Sequence, residues 1–67
     1  MITFDKLWIT LKQKKISQYS LINDYHFSRG QISRLKNNCN VNTHTIDLLC
    51  KILDCDVNDI CEFRSDD

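Results

Sequence analysis

Residues 17–36 read Ser-Gln-Tyr-Ser-Leu-Ile-Asn-Asp-Tyr-His-Phe-Ser-Arg-Gly-Gln-Ile-Ser-Arg-Leu-Lys. Ser17 is a good helix N-cap, and a short helix of about Gln18–Asp24 follows with Leu21 and Ile22 facing inward. Tyr25, His26 and Phe27 form a tight turn. Ser28 caps the next helix, and Phe27, the apolar residue just before that cap, is placed to staple it. The third helix runs over about Arg29–Lys36 with Ile32 and Leu35 as its buried pair. The exposed arc opposite this pair is centred on Gly30, Ser33, Arg34 and Asn37, with Arg29 and Gln31 flanking. Two short helices joined this way form a helix-turn-helix, which presents its second helix to the major groove of DNA.

The flanking segments supply the rest of a helical core. Upstream, Phe4, Leu7, Trp8 and Leu11 fall at i, i+3, i+4 and i+7, one apolar stripe of a helix capped at Thr3 and running to about Lys14. Asp5 at its start and Lys12, Lys14 and Lys15 at its end suit the helix dipole. Downstream, Asn42 caps a fourth helix over Thr43–Leu53 with the stripe Ile46, Leu49, Cys50 and Leu53. Asp56 caps a short fifth helix through Val57, Ile60 and Cys61, and residues 63–67 are expected to fray. The expected fold class is therefore all-α, a compact bundle of five helices with the helix-turn-helix at its centre. The single Gly and the absence of Pro among 67 residues argue against sandwiches, barrels and disorder. That length suits one small domain, residues 1–67, with a limited core.

Net charge is zero, but the total hides a split. Residues 1–38 hold seven cations against two acids, and residues 39–67 hold two cations against seven acids. A basic half that faces a polyanion and an acidic half that faces elsewhere account for this asymmetry. The four cysteines, Cys39, Cys50, Cys55 and Cys61, contain no Cys-x-x-Cys pair and follow no signal peptide, so buried or partly buried reduced thiols in a cytosolic protein are expected. A zinc site using His44 with Cys50, Cys55 or Cys61, a disulfide, and a thiol sensor are the minor alternatives. The apolar segments are too short to span a membrane. Two His, no phosphate-cradling Gly loop and no catalytic carboxylate pair leave no enzyme expected, and no cofactor, metal or small-molecule ligand is expected either.

At this point the chain resembles the phage repressor/Cro-type helix-turn-helix family. The resemblance rests on Ser17-Gln18, Leu21-Ile22, Phe27-Ser28, Ile32, Leu35 and the run Arg34-Leu35-Lys36-Asn37. Thr45-Ile46-Asp47-Leu48-Leu49-Cys50-Lys51-Ile52-Leu53 and Cys55-Asp56-Val57-Asn58-Asp59-Ile60 extend it over about residues 4–62. It implies the lambda-repressor-like five-helix fold, binding to double-stranded DNA as a homodimer on an inverted repeat, repression of transcription, and a nucleoid-associated location. Two positions depart from the family pattern. His26 stands where many members have Gly, so a left-handed non-Gly residue is expected there. Gly30 stands where a polar base reader is often found; either the backbone approaches the groove closely or the Gly is merely tolerated.

The resulting site expectations divide by role. Arg29, Gly30, Ser33 and Arg34 face the bases, with the Arg29 fork matched to the O6 and N7 acceptors of guanine. Gln18, Ser28, Gln31, Lys36, Asn37, Asn38, Thr43 and His44 are expected on phosphates. The Gln18 contact is the one the resemblance implies. Val57, Ile60, Cys61 and Phe63 are the candidates for a dimer interface. The alternative reading is a protein-interaction module on the same fold, an antitoxin or an anti-repressor, whose acidic half binds another protein.

Overall fold

The computed structural model describes residues 1–65. It contains four α-helices: α1 (Asp5–Lys14), α2 (Gln18–Asn23), α3 (Arg29–Lys36) and α4 (Thr43–Leu53). The expected fifth helix is a single 3-10 turn over Val57–Asp59. Asp56 caps it, accepting from the Val57 amide at 2.8 Å, and Ile60 beyond it turns into the core. Two short strands complete the fold, β1 (Ile2–Thr3) and β2 (Glu62–Phe63). They pair antiparallel, Ile2 opposite Phe63 and Thr3 opposite Glu62.

This sheet corrects two expectations. Thr3 does not cap α1; it lies in β1, buried, and its hydroxyl has no hydrogen-bond partner among the described residues. Residues 63 and 64 are not frayed, because Phe63 is paired in β2 and the Arg64 amide donates to the Met1 carbonyl at 2.8 Å. Ser65 follows the strand without regular structure, and the rest of the expected fraying, at residues 66 and 67, lies outside the described residues. The fold is thus four helices with a small sheet rather than an all-α bundle of five.

The core draws on every helix: Phe4, Leu7 and Leu11, then Leu21 and Phe27, Ile32 and Leu35, Leu49 and Leu53, and Ile60. Trp8, Ile16 and Ile22 pack against it half-buried. On α4 the buried row is Thr45, Leu49 and Leu53, at i, i+4 and i+8, while the expected Ile46 and Cys50 are only half-buried. Thr45 is tolerated inside because its amide and hydroxyl both donate to the Asn42 side-chain oxygen, at 3.0 and 3.2 Å. A second polar pin ties α1 to the 3-10 turn, where the Thr10 hydroxyl donates to the Asp59 carbonyl at 2.7 Å.

Lys15, His26, Asn38 and Asp54 adopt positive φ, between 50° and 64°. Each ends a helix or turn and hands over to a residue whose amide bonds back into the preceding helix. After α3, for example, the Asn38 amide donates to the Leu35 carbonyl at 3.3 Å and the Cys39 amide to the Arg34 carbonyl at 2.9 Å. The one Gly of the chain is not among them.

Candidate nucleic-acid interface

The interface is built on the turn between α2 and α3. Ser17 caps α2, its hydroxyl accepting from the Ser20 amide at 3.0 Å. The turn closes when the Phe27 amide donates to the Leu21 carbonyl at 2.9 Å, across the left-handed His26. Phe27 then drops into the core, which fixes how α3 leaves the turn. Ser28 and Gln31 form a reciprocal capping box: the Gln31 amide donates to the Ser28 hydroxyl at 3.1 Å, and the Ser28 amide to Gln31 Oε1 at 2.8 Å. Both were expected on phosphates. Their acceptor oxygens serve the cap instead, and the Ser28 hydroxyl proton and the Gln31 side-chain NH2 are left as donors.

Burial of Ile32 and Leu35 turns the rest of α3 outward. Arg29, Gly30, Ser33, Arg34, Lys36 and Asn37 are all exposed. Arg29, Ser33 and Lys36 recur at i, i+4 and i+7 and line a cleft against α2, with Gln18 on the far wall. Gly30, Arg34 and Asn37 form the next row at the same spacing. The Asn37 side chain is folded back, donating to the Ser33 carbonyl at 2.9 Å and approaching the Ser33 hydroxyl at 3.4 Å. Among the described residues no carboxylate pairs with Arg29, Arg34 or Lys36; the acids Asp5, Asp47 and Glu62 pair with Arg64, Lys51 and Lys6 instead. The α3 face therefore presents three uncompensated cations around two small residues, Gly30 and Ser33.

Not every expected contact belongs to this face. Asn38 uses its side-chain oxygen to accept from the Phe4 amide at 2.8 Å, joining the end of α3 to the start of α1. That is a structural role that the sequence reading missed. Thr43 and His44 are exposed in the first turn of α4, and Thr43 opens onto a different cleft, beside Asp47 and Asp56. Tyr19 was not anticipated at all. It stands on the α2 wall of the Arg29 cleft and is 70% exposed. A large aromatic one step past a helix start, off the Leu21 face, was the signal that would have found it.

The expected dimer residues divide too. Ile60 is 0% exposed in the monomer core, so it leaves the interface set. Cys61 is half-buried, while Val57 and Phe63 are 49% and 72% exposed. All four cysteines are free thiols. Burial pushes the Cys50 and Cys55 thiols up, and so do the neighbouring carboxylates of Asp56 and Asp47 for Cys50 and, for Cys55, the Cys50 thiol and then Asp59. Burial also raises Cys61, against the opposing charge of Lys6. Among the described residues no three His, Cys, Asp or Glu side chains converge as a metal site, and no helix is long and apolar enough to cross a membrane.

A capped helix, a left-handed turn and a second capped helix with an exposed cationic face define a helix-turn-helix module. The Cro/C1-type helix-turn-helix DNA-binding domain model matches residues 6–66, and the chain belongs to that family. Among solved structures it is similar to the transcriptional regulator VanUg, with a TM-score of 0.82 and 28% identity, over 91% of this chain and 81% of that one. No curated protein matches the chain.

Proposed function

We propose that this protein is a sequence-specific regulator of transcription, acting as a repressor, that inserts α3 into the major groove of double-stranded DNA. The observation that carries this reading is the α3 face, where Arg29, Arg34 and Lys36 stand exposed without a carboxylate partner among the described residues. A cationic face that the fold does not neutralise fits a polyanion, and phosphate neutralisation supplies much of DNA affinity. The transcriptional regulator VanUg, alike in fold and 28% identical, supports the same class of role. In this reading Arg29, in the first turn of α3, reads a guanine, with Ser33 or Arg34 as the second reader and Gly30 allowing close approach. Gln18, Lys36 and Asn37 hold phosphates beside α3, and the Ser28 and Gln31 donors and Thr43 and His44 extend that set. The chain works as one domain and as a homodimer on an inverted repeat, with Val57 and Phe63 as the exposed apolar contacts, since one small module seldom supplies enough specific affinity alone.

Selection of bound DNA from a random pool, at near-physiological salt, tests this reading. An enriched inverted repeat is expected. A lone half-site removes the dimer, and no enrichment from folded protein removes the regulator.

One observation favours a second reading, a protein-interaction module of antitoxin or anti-repressor type. A cleft of about 430 Å³ between α4 and the 3-10 turn is lined by Ile46, Cys50, Cys55 and Val57, with Asp47 and Asp56 beside them. Salt separates the two: affinity through phosphates falls steeply with salt, whereas an apolar protein contact changes little.

A further inference from the structure

The cleft between α2 and α3 has a composition that base reading by α3 does not explain. Its interior is apolar, formed by half-buried Ile22 and buried Ile32. Its α3 wall carries Arg29, Ser33 and Lys36, and its volume is about 420 Å³. Tyr19 stands on the opposite wall, and its hydroxyl has no hydrogen-bond partner among the described residues. The fold gains little from so exposed a ring, because Leu21 already supplies the α2 contribution to the core.

When a second helix lies in the major groove, the first crosses the DNA backbone at the groove's edge. The mouth of this cleft then faces one strand's sugar and phosphate. A deoxyribose presents an apolar face, and its phosphate presents anionic oxygens. The cleft offers the complement of each, an apolar interior with an aromatic wall, and a cation with a phenol donor at its mouth.

We propose that the α2–α3 cleft is a backbone subsite that seats one deoxyribose and its phosphate, with the Tyr19 ring over the sugar and the Tyr19 hydroxyl donating to a phosphate oxygen beside Lys36. Tyr19 is then a positioning residue. It sets how far along the groove α3 sits and so which bases Arg29 meets. This inference rests on the DNA-binding reading above and adds to it a residue and a backbone contact.

The test uses the full chain and its selected operator. Single methylphosphonate groups, which are uncharged, replace each phosphate of a half-site in turn. Affinity is measured for the wild type, Tyr19→Phe and Tyr19→Ala. Loss of one hydrogen bond to a charged group lowers affinity by roughly tenfold, so Tyr19→Phe is expected to lose about that factor on unmodified DNA. At one backbone position neutralisation costs the wild type a similar factor and costs Tyr19→Phe almost nothing further. Tyr19→Ala loses more than Tyr19→Phe, because the ring is also gone. Its salt dependence stays that of the wild type, since Tyr19 is neutral, whereas Lys36→Ala lowers the salt slope by about one. Both Tyr19 variants keep the wild-type melting temperature, as expected at an exposed position. Penalties that simply multiply at every backbone position, or a Tyr19→Ala protein that binds like the wild type, overturn the subsite and leave the DNA reading standing. A wild type that selects no sequence overturns both.

Discussion

Replacing Gly30 by Ala should move stability and DNA binding in opposite directions. Gly30 does not need its conformational freedom, because its φ is not positive. A Cβ built there meets only the Ser28 hydroxyl oxygen, at 3.8 Å, an ordinary van der Waals contact. The folded protein therefore has room for the methyl. Ala in place of Gly inside a helix gains about 0.8–1.0 kcal/mol, and the first-turn position reduces this to roughly 0.5–0.8 kcal/mol. For a domain this small the melting temperature should rise by roughly 3–6 °C. On DNA the same methyl would project from the α3 row that Gly30 shares with Arg34 and Asn37, next to the row of Arg29 and Ser33. If the α3 backbone lies against base edges at Gly30, the methyl pushes the helix outward and weakens a neighbouring bidentate contact worth about 1–3 kcal/mol. The assays are thermal unfolding by circular dichroism and fluorescence anisotropy on the selected operator at fixed salt. A lower melting temperature would refute the steric argument. A raised melting temperature with unchanged affinity would refute close approach at Gly30.

Four further outcomes are expected. Arg29→Ala should cost about 1–3 kcal/mol on the selected operator and relax preference at one base pair, read by repeating the selection; equal weakening on all sequences would remove its base-reading role. His26→Gly should stabilise by roughly 0.5–1 kcal/mol in denaturant titration, because Gly adopts the left-handed turn without the steric cost that His bears. Thr3→Val should stabilise by about 1 kcal/mol, since the buried hydroxyl it removes has no partner among the described residues. Stability should also fall in alkali. The Cys50, Cys55 and Cys61 thiols are raised in the fold. Below the ordinary thiol value of about 8.5 they are neutral in both states, and above it the unfolded chain ionises first, so stability is lost as pH climbs toward the raised folded values. Denaturant midpoints that stay level from pH 8 to about pH 10 would contradict this.

The parts of the fold written in local chemistry were legible. The α3 and α4 limits follow from the Ser28–Gln31 box and the Asn42 cap, each complete within four residues of sequence. The left-handed His26 follows from the family resemblance, since His26 stands where many members have Gly. Other features rest on partners distant in sequence. Thr3 has the chemistry of a cap, but pairing with Glu62 places it in a strand. Asn38 looks like a surface residue until the Phe4 amide reaches it. Ile46 and Cys50 fit the apolar period of α4, yet Thr45 takes the inner row because Asn42 satisfies its hydroxyl, which no hydropathy pattern registers. At the site, the α3 face could be read from Ile32 and Leu35 alone. The Arg29–Tyr19 cleft could not, because it depends on how α2 packs beside α3.

The pairing of Ile2 with Phe63 and of Thr3 with Glu62 joins the two ends of the described chain. Forming it closes a loop of nearly the whole molecule, and such closure is entropically unfavourable until the intervening helices have shortened the distance. Folding is therefore expected to begin in the helices, where contacts are local, with the strands registering last. The reverse order governs local opening: the strand pair can separate while α2 and α3 stay docked through Leu21, Phe27 and Leu35. Opening there reaches the candidate interface at one point, where the Phe4 amide beside β1 donates to the Asn38 side chain at the end of α3.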